Sequence, residues 1–221
     1  MGVAAMSGDH ELAIVKVLHN KPKIAICKTS DWNLASKDTR GALALARFAA
    51  EAIAKGKVSD LKLPKGLQGL QEIQTRIMLS EMSRSLAFER EHFSKKMSSI
   101  LIKQIIQGEQ IPYSQYEQDL LKSKQAQNLI TKLFDDQFDL IIAPSTIGEA
   151  PLLKDGTDDP VFCRMWTLLG LPSININIAT GINGLPIGIQ LIAGPGKDAF
   201  LLSSARALAL ALPDPVLRDQ A

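Results

Sequence analysis

The chain has 221 residues, 46% of them hydrophobic and 22% charged, and its 25 basic and 23 acidic side chains leave a formal net charge of +2. That length suits one large domain burying roughly 70% of its unfolded surface, with the composition of an ordinary soluble globular protein. A charge so near balance, with lysines and arginines scattered among acids as in Glu89–Met97, excludes nucleic acid and an anionic membrane surface as expected partners.

Residues 9–19 read as a helix with Asp9 at its N-cap, ended by Pro22. A short β run follows over Lys23–Thr29, then a loop over 31–36. A long Ala-rich helix spans about Asp38 to Lys55, with Ala42, Leu45, Ala46, Ala49 and Ile53 on one side and Gly56 as its stop. Val58–Pro64 is expected as a second strand. The middle turns helical: Ile73, Ile77, Met82 and Leu86 recur at helical spacing, then Ile100, Leu101, Ile105 and Ile106. Pro112 breaks that run. Ser114 and Glu117 form a capping box for a helix reaching Phe134, with Leu120, Leu121, Leu129, Ile130 and Leu133 expected inward.

Beyond Phe138 strands return at Leu140–Pro144, Ser173–Ile178 and Pro186–Ile192. Helices are expected over 160–169 and 198–212, the latter N-capped by Asp198, and a loose tail over 213–221. Apolar strand runs alternating with helices imply an α/β fold, a mixed, largely buried sheet covered by helices on both faces. Within the last strand Gly188 suggests close approach of another backbone, and Gln190 must bond something when buried, neighbouring backbone before substrate. Trp166 reads equally as pocket lining or as core. Cys27 and Cys163 are far apart, lack a CxxC spacing and sit among apolar residues, so free buried thiols are expected and no metal or cofactor. No apolar run reaches the ~20 residues that span a bilayer. Residues 1–18 carry Asp9, His10 and Glu11 where a secretory leader needs an apolar stretch, which implies a cytoplasmic protein.

Three segments carry a resemblance. FDLIIAPSTIGEAP supplies Phe138, Asp139, Pro144, Ala150 and Pro151; DPVFCRMWTLLGLPS supplies Phe162, Trp166, Thr167, Gly170 and Pro172. NGLPIGIQLIAGPGKDAFLLSSA supplies Gly184, Leu185, Pro186, Gly188, Gln190, Leu191, Asp198, Leu201, Leu202 and Ala205. Together they resemble the C-terminal part of the amidase signature family, hydrolases that split carbon–nitrogen amide bonds with a serine nucleophile. The resemblance implies that residues 1–212 are the C-terminal part of such a domain. It makes Ser145, Thr146, Phe162, Trp166 and Asn175 candidates for a substrate pocket. Two positions depart from the family pattern: Asn177 stands where proline is usual and Ala179 where glycine is usual.

The family's chemistry is a lysine, a cis-linked serine and a nucleophilic serine in a GGSSGGS-type loop. No such loop occurs in these residues. The pairs Ser98-Ser99 and Ser203-Ser204 have no flanking glycine, Ser-Lys neighbours on a helix do not face each other, and His10, His19 and His92 lie in polar helical contexts. The strand–GPGK–helix passage around Gly196 lacks Walker spacing and places Asp198 where Ser or Thr is needed. No catalytic residue is therefore expected. Three functions remain: a truncated amidase inactive alone, the C-terminal partner of a chain holding the catalytic half, or a non-catalytic protein binding small amides. A half sheet would also leave apolar surface and an unpaired strand edge exposed.

Overall fold

A computed structural model describes residues 18, 20–157 and 159–212. The helix expected over 9–19 falls almost wholly outside them, as does the tail 213–221. Five strands form one mixed sheet in the order β2-β1-β3-β5-β4: β1 Ile24–Ile26, β2 Ser59–Asp60, β3 Leu140–Pro144, β4 Ser173–Thr180 and β5 Pro186–Ala193. β1 runs parallel to β2 and to β3, and β5 runs antiparallel to both β3 and β4.

Helix α1 (Lys37–Ile53) starts where the Ser36 hydroxyl accepts the Thr39 N–H at 3.1 Å. Its buried face is Ala42, Leu43, Ala46, Ala49 and Ala50, small enough to lie close on the sheet. α7 (Asp198–Ala211) shares that face, packing Leu201, Ala205 and Leu208 against Ile187, Ile189 and Leu191. The opposite face is covered by α2 (Leu70–Ser85), α5 (Tyr113–Asp136) and α6 (Val161–Leu169), whose Leu70, Ile130, Met165 and Trp166 meet Ile141, Ala143 and Ile192. The α/β sheet with helices on both faces is as expected. Between α2 and α5 lie α3 (Ala87–Phe93) and α4 (Ser99–Glu109). At Gly108 of α4 a Cβ would collide with the Leu79 carbonyl of α2, so only glycine permits this close crossing.

Several local expectations change. The strand expected over Val58–Pro64 shrinks to two residues, because Leu61 and Leu63 turn into the core behind α5. α5 is led by Pro112, with Ser114 inside its first turn and making no cap. Its buried positions are Asp119, Ser123, Ala126 and Ile130, while Leu120 and Leu121 are 41% and 65% exposed. The spacing 119, 123, 126, 130 is a regular helical face; an acid occupies it because α2 supplies its partner. Arg76 Nε donates to Asp119 Oδ2 at 2.6 Å, Arg76 Nη2 to Oδ1 at 2.9 Å, and Gln115 Nε2 to Oδ1 at 3.1 Å. Asp198 opens α7 as its first residue, with Lys197 at the N-cap and no side-chain cap bond. Among the described residues no helix is long and apolar enough to cross a membrane.

The hydrogen bond from Arg76 holds the Asp119 carboxyl below its ordinary value, against desolvation. Its contribution to stability is therefore complete above the unfolded pKa of about 3.9 and fades as pH falls through the lower folded value. In urea titrations across pH, Asp119→Asn should flatten that acid loss, and Asp119→Ala should cost about 2–3 kcal/mol at neutral pH by stranding a partly covered guanidinium. An unchanged pH profile in Asp119→Asn would show that the pair does not couple α2 to α5.

Candidate functional site

The carboxyl end of β3, the hairpin β4–β5 and one side of α6 enclose an open cleft of about 1060 Å³. Strand alternation makes its wall. In β4 the isoleucines 174, 176 and 178 turn toward α7, so Ser173, Asn175 and Asn177 face the cleft. The run SININI is thus two-faced rather than continuously apolar. In β5 the same period puts Gly188 and Gln190 on the cleft side.

Gln190 is buried and donates from Nε2 to the Pro144 carbonyl at 2.7 Å and the Phe162 carbonyl at 2.8 Å. Its partners are backbone, as expected. Gly188 leaves room for a side chain rather than a backbone: a Cβ there would strike the Asn175 carboxamide. Asn175 in turn accepts the Ser145 hydroxyl at 2.6 Å through Oδ1 and donates from Nδ2 to Asn177 Oδ1 at 3.2 Å. Ser145, Asn175 and Asn177 therefore form one polar chain along the wall.

The loop leaving β3 is anchored from two sides. Thr39 of α1 donates through Oγ1 to the Thr146 and Ile147 carbonyls at 3.3 and 3.0 Å, and the Ser36 N–H reaches the Ile147 carbonyl at 2.7 Å. On the other side the Glu149 carboxylate accepts the backbone N–H of Asn183 and of Leu185, at 3.0 and 2.8 Å, and the Asn183 side-chain amide at 2.7 Å. It clamps the β4–β5 turn to the loop. Desolvation pushes its pKa up, but these hydrogen bonds outweigh it and hold the carboxyl below the usual range. Glu149 carried no motif signal in the sequence beyond its place in GEAP; its role is visible only once residues 34 to 36 positions apart meet.

Four of the five sequence-derived pocket candidates, Ser145, Thr146, Trp166 and Asn175, line the cleft together. Phe162 does not. It is buried in the first turn of α6 with Val161 and against Ala35, and contributes its carbonyl to Gln190. Trp166 is both lining and core: 1% exposed, on the cleft floor, with an indole N–H buried and unpartnered among the described residues. Cys163 also lines the cleft, its Sγ 3.4 Å from the Ser145 carbonyl, and burial raises its pKa. Cys27 is the deeper free thiol, pushed up to about 11 by burial despite the Thr29 N–H beside it. Ser98 caps α4 by accepting the Leu101 N–H, and Ser203 and Ser204 are buried on α7, across the sheet from the cleft. Among the described residues no three His, Cys, Asp or Glu side chains gather as a metal site would need.

Two substitutions separate the wall from its supports. Gly188→Ala must displace the Asn175 amide, so the Ser145–Asn175 hydrogen bond should be lost while the global fold survives, read from side-chain amide NMR shifts. Glu149→Gln removes the charge and one acceptor from the clamp, and hydrogen exchange at Asn183 and Leu185 should accelerate about tenfold, a change worth ~1.4 kcal/mol. Unaltered exchange there would show that the turn holds itself.

The chain is 31% identical over 118 residues to a mitochondrial glutamyl-tRNA(Gln) amidotransferase subunit of Mus musculus, a stretch covering 48% of this chain and 22% of that protein. It is 34% identical over 100 residues to the corresponding glutamyl-tRNA(Gln) amidotransferase subunit of Agathobacter rectalis, covering 41% of this chain and 20% of the relative. Its fold matches a solved amidase with a TM-score of 0.75 at 18% identity, over 90% of this chain and 48% of the other. It also matches 6-aminohexanoate cyclic dimer hydrolase complexed with substrate, with a TM-score of 0.70 at 17% identity over 92% and 47%. At those identities the two structures speak for the fold alone, and in every case the matched stretch is less than half of the other protein. With the Amidase family model matched over residues 9–202, the chain belongs to the amidase signature family.

Proposed function

We propose that these residues form the substrate-holding wall of an amide hydrolase, and that residues 1–212 are the C-terminal part of its domain. On this reading the chain binds a small amide in the cleft and does not cleave it alone. On the same reading the serine that attacks the bond, with the lysine and cis-linked serine that move its proton, comes from polypeptide outside these 221 residues, whether a longer form of the chain or a separate partner.

The observation that carries the reading is the Ser145–Asn175–Asn177 chain facing an open cavity above a buried tryptophan. An amide ligand presents a carbonyl acceptor and an N–H donor. The wall offers the Asn177 carboxamide and the Trp166 N–H on one side of that exchange and hydroxyl oxygens on the other. The same bonds argue against attack by Ser145. A serine becomes nucleophilic when its proton can pass to a base, and Ser145 donates to a carboxamide oxygen, which is no base at neutral pH. The relatives' names, amidase and amidotransferase, fit a site built for amide groups.

Purified full chain should leave simple aryl and aliphatic amides intact while binding them, seen as chemical-shift changes at Asn175 and at the Trp166 indole N–H. Asn177→Ala should weaken binding about tenfold, the loss of roughly one hydrogen bond. Trp166→Phe should weaken it for carbonyl-bearing ligands more than for their alkane analogues. A covalent acyl adduct on any serine of the isolated chain overturns the catalytic half of the proposal; absence of shifts at saturating amide overturns the binding half.

A further inference from the structure

A second cavity, of about 290 Å³, lies at the opposite end of β3 from the cleft, where β3 begins and β5 ends, between the last turn of α5 and the first of α7. β3 and β5 are inner strands with a neighbour on each side, so the cavity is not at an edge of the sheet. Three half-buried phenylalanines line it, each from a different segment: Phe134 of α5, Phe138 of the link into β3 and Phe200 of α7. Phe134 packs into the core on one face of the sheet and Phe200 into the core on the other. Gly194 lets β5 pass close to Phe134, since a Cβ there would come within 3.3 Å of that side chain. Among the described ring contacts none joins these three phenyls to one another.

Charge is the second observation. Asp135 and Asp139 line the same cavity, and Asp139 is held in place by accepting the Lys23 N–H at 2.7 Å through Oδ2. A helix C-terminus carries partial negative charge and favours a lysine or arginine in its last turn. α5 has none there; it ends on Asp135 and Asp136 instead, so like charges accumulate. Among the described lining residues the single cation is Lys197, which forms no ion pair with either acid and lies over none of the three rings.

We propose that this cavity binds a small organic cation, a quaternary or alkylated ammonium group, seated among Phe134, Phe138 and Phe200 and balanced by Asp135 and Asp139. A phenyl ring attracts a cation through its quadrupole, and the attraction grows once the ion is desolvated. Methyl groups on the nitrogen suit the phenyl walls and leave few N–H donors to satisfy, while the two carboxylates supply the opposite charge. The bound cation also takes the place that a basic residue would fill at the end of α5. A metal ion suits the cavity poorly: Ca²⁺ needs about six to eight oxygen ligands, and among the described residues no three His, Cys, Asp or Glu side chains gather. The site stands apart from the amide-binding reading, which concerns the other end of β3.

NMR titration of the full chain at constant ionic strength tests it, with choline chloride as the probe. Its control is the neutral carbon isostere, in which a tert-butyl group replaces the trimethylammonium. Saturable shifts are expected at the Gly194 amide and the Phe138 ring, with choline bound about tenfold more tightly than the isostere. Asp135→Asn should weaken choline severalfold and leave the isostere unchanged, and Lys197→Met should tighten choline by a similar factor. Both side chains are exposed, so neither change disturbs the core. Phe138→Leu keeps an apolar wall without the ring and should weaken choline more than the isostere; thermal melts identify any loss of fold in that variant, and the two exposed substitutions then carry the test. Equal affinity for the two shapes, no shift at Gly194 and Phe138, or an affinity indifferent to both Asp135→Asn and Lys197→Met each overturns the proposal.

Discussion

A primary carboxamide has two hydrogens to donate, and in Gln190 both reach carbonyls that belong to other elements. One is Pro144 at the end of β3, the other Phe162 in the first turn of α6. The side chain is covered from solvent, so leaving either hydrogen unpaired would cost about 1–3 kcal/mol, and three elements are held to one another at that point. Fixing Pro144 fixes Ser145, the next residue. Fixing Phe162 fixes Cys163 and Trp166, which follow on the same helix. The cleft exists in its present shape because one polar residue sits in an otherwise apolar strand.

The rest of the site is supported by contacts of long sequence separation acting on short segments. The loop after β3 has no regular structure of its own from Ser145 to Leu152. It is held by Thr39 and Ser36 at the start of α1, and it holds the β4–β5 turn through Glu149. Helix α1 is itself seated by alanines on the sheet face opposite the cleft. Position therefore passes from an apolar layer on one face, through a helix terminus and a loop, to a polar wall on the other. A cavity-forming change beneath α1 would be felt at the loop, since packed interiors transmit displacement.

Much of this was legible in the residues. β3 appears with the bounds its apolar run implies, and β5 and α6 within a residue of theirs. Gln190 could be read as bonded to backbone because a polar side chain in such a strand has few alternatives. What could not be read were partners. Asp119 lies on the inner face of α5 because Arg76, 43 residues earlier, meets it there, whereas hydropathy alone turns Leu120 and Leu121 inward. Gly188 signals close approach in any strand, but that the approaching group is the Asn175 amide follows only from the register of β4 on β5. Phe162 and Trp166 stand four residues apart on α6, and no helical period tells which of them sees a cavity.

Register also explains why the wall has a direction. On the cleft side the rungs of the hairpin are Ser173 beside Ile192, Asn175 beside Gln190 and Asn177 beside Gly188. Each pairs a polar residue on the edge strand with a residue of different size on the inner one. Moving along the rungs, the inner strand presents a buried isoleucine, then an amide bonded on both hydrogens, then no side chain at all. The asparagine amides therefore face the cleft beside an inner strand whose side chains dwindle from Ile192 to Gly188.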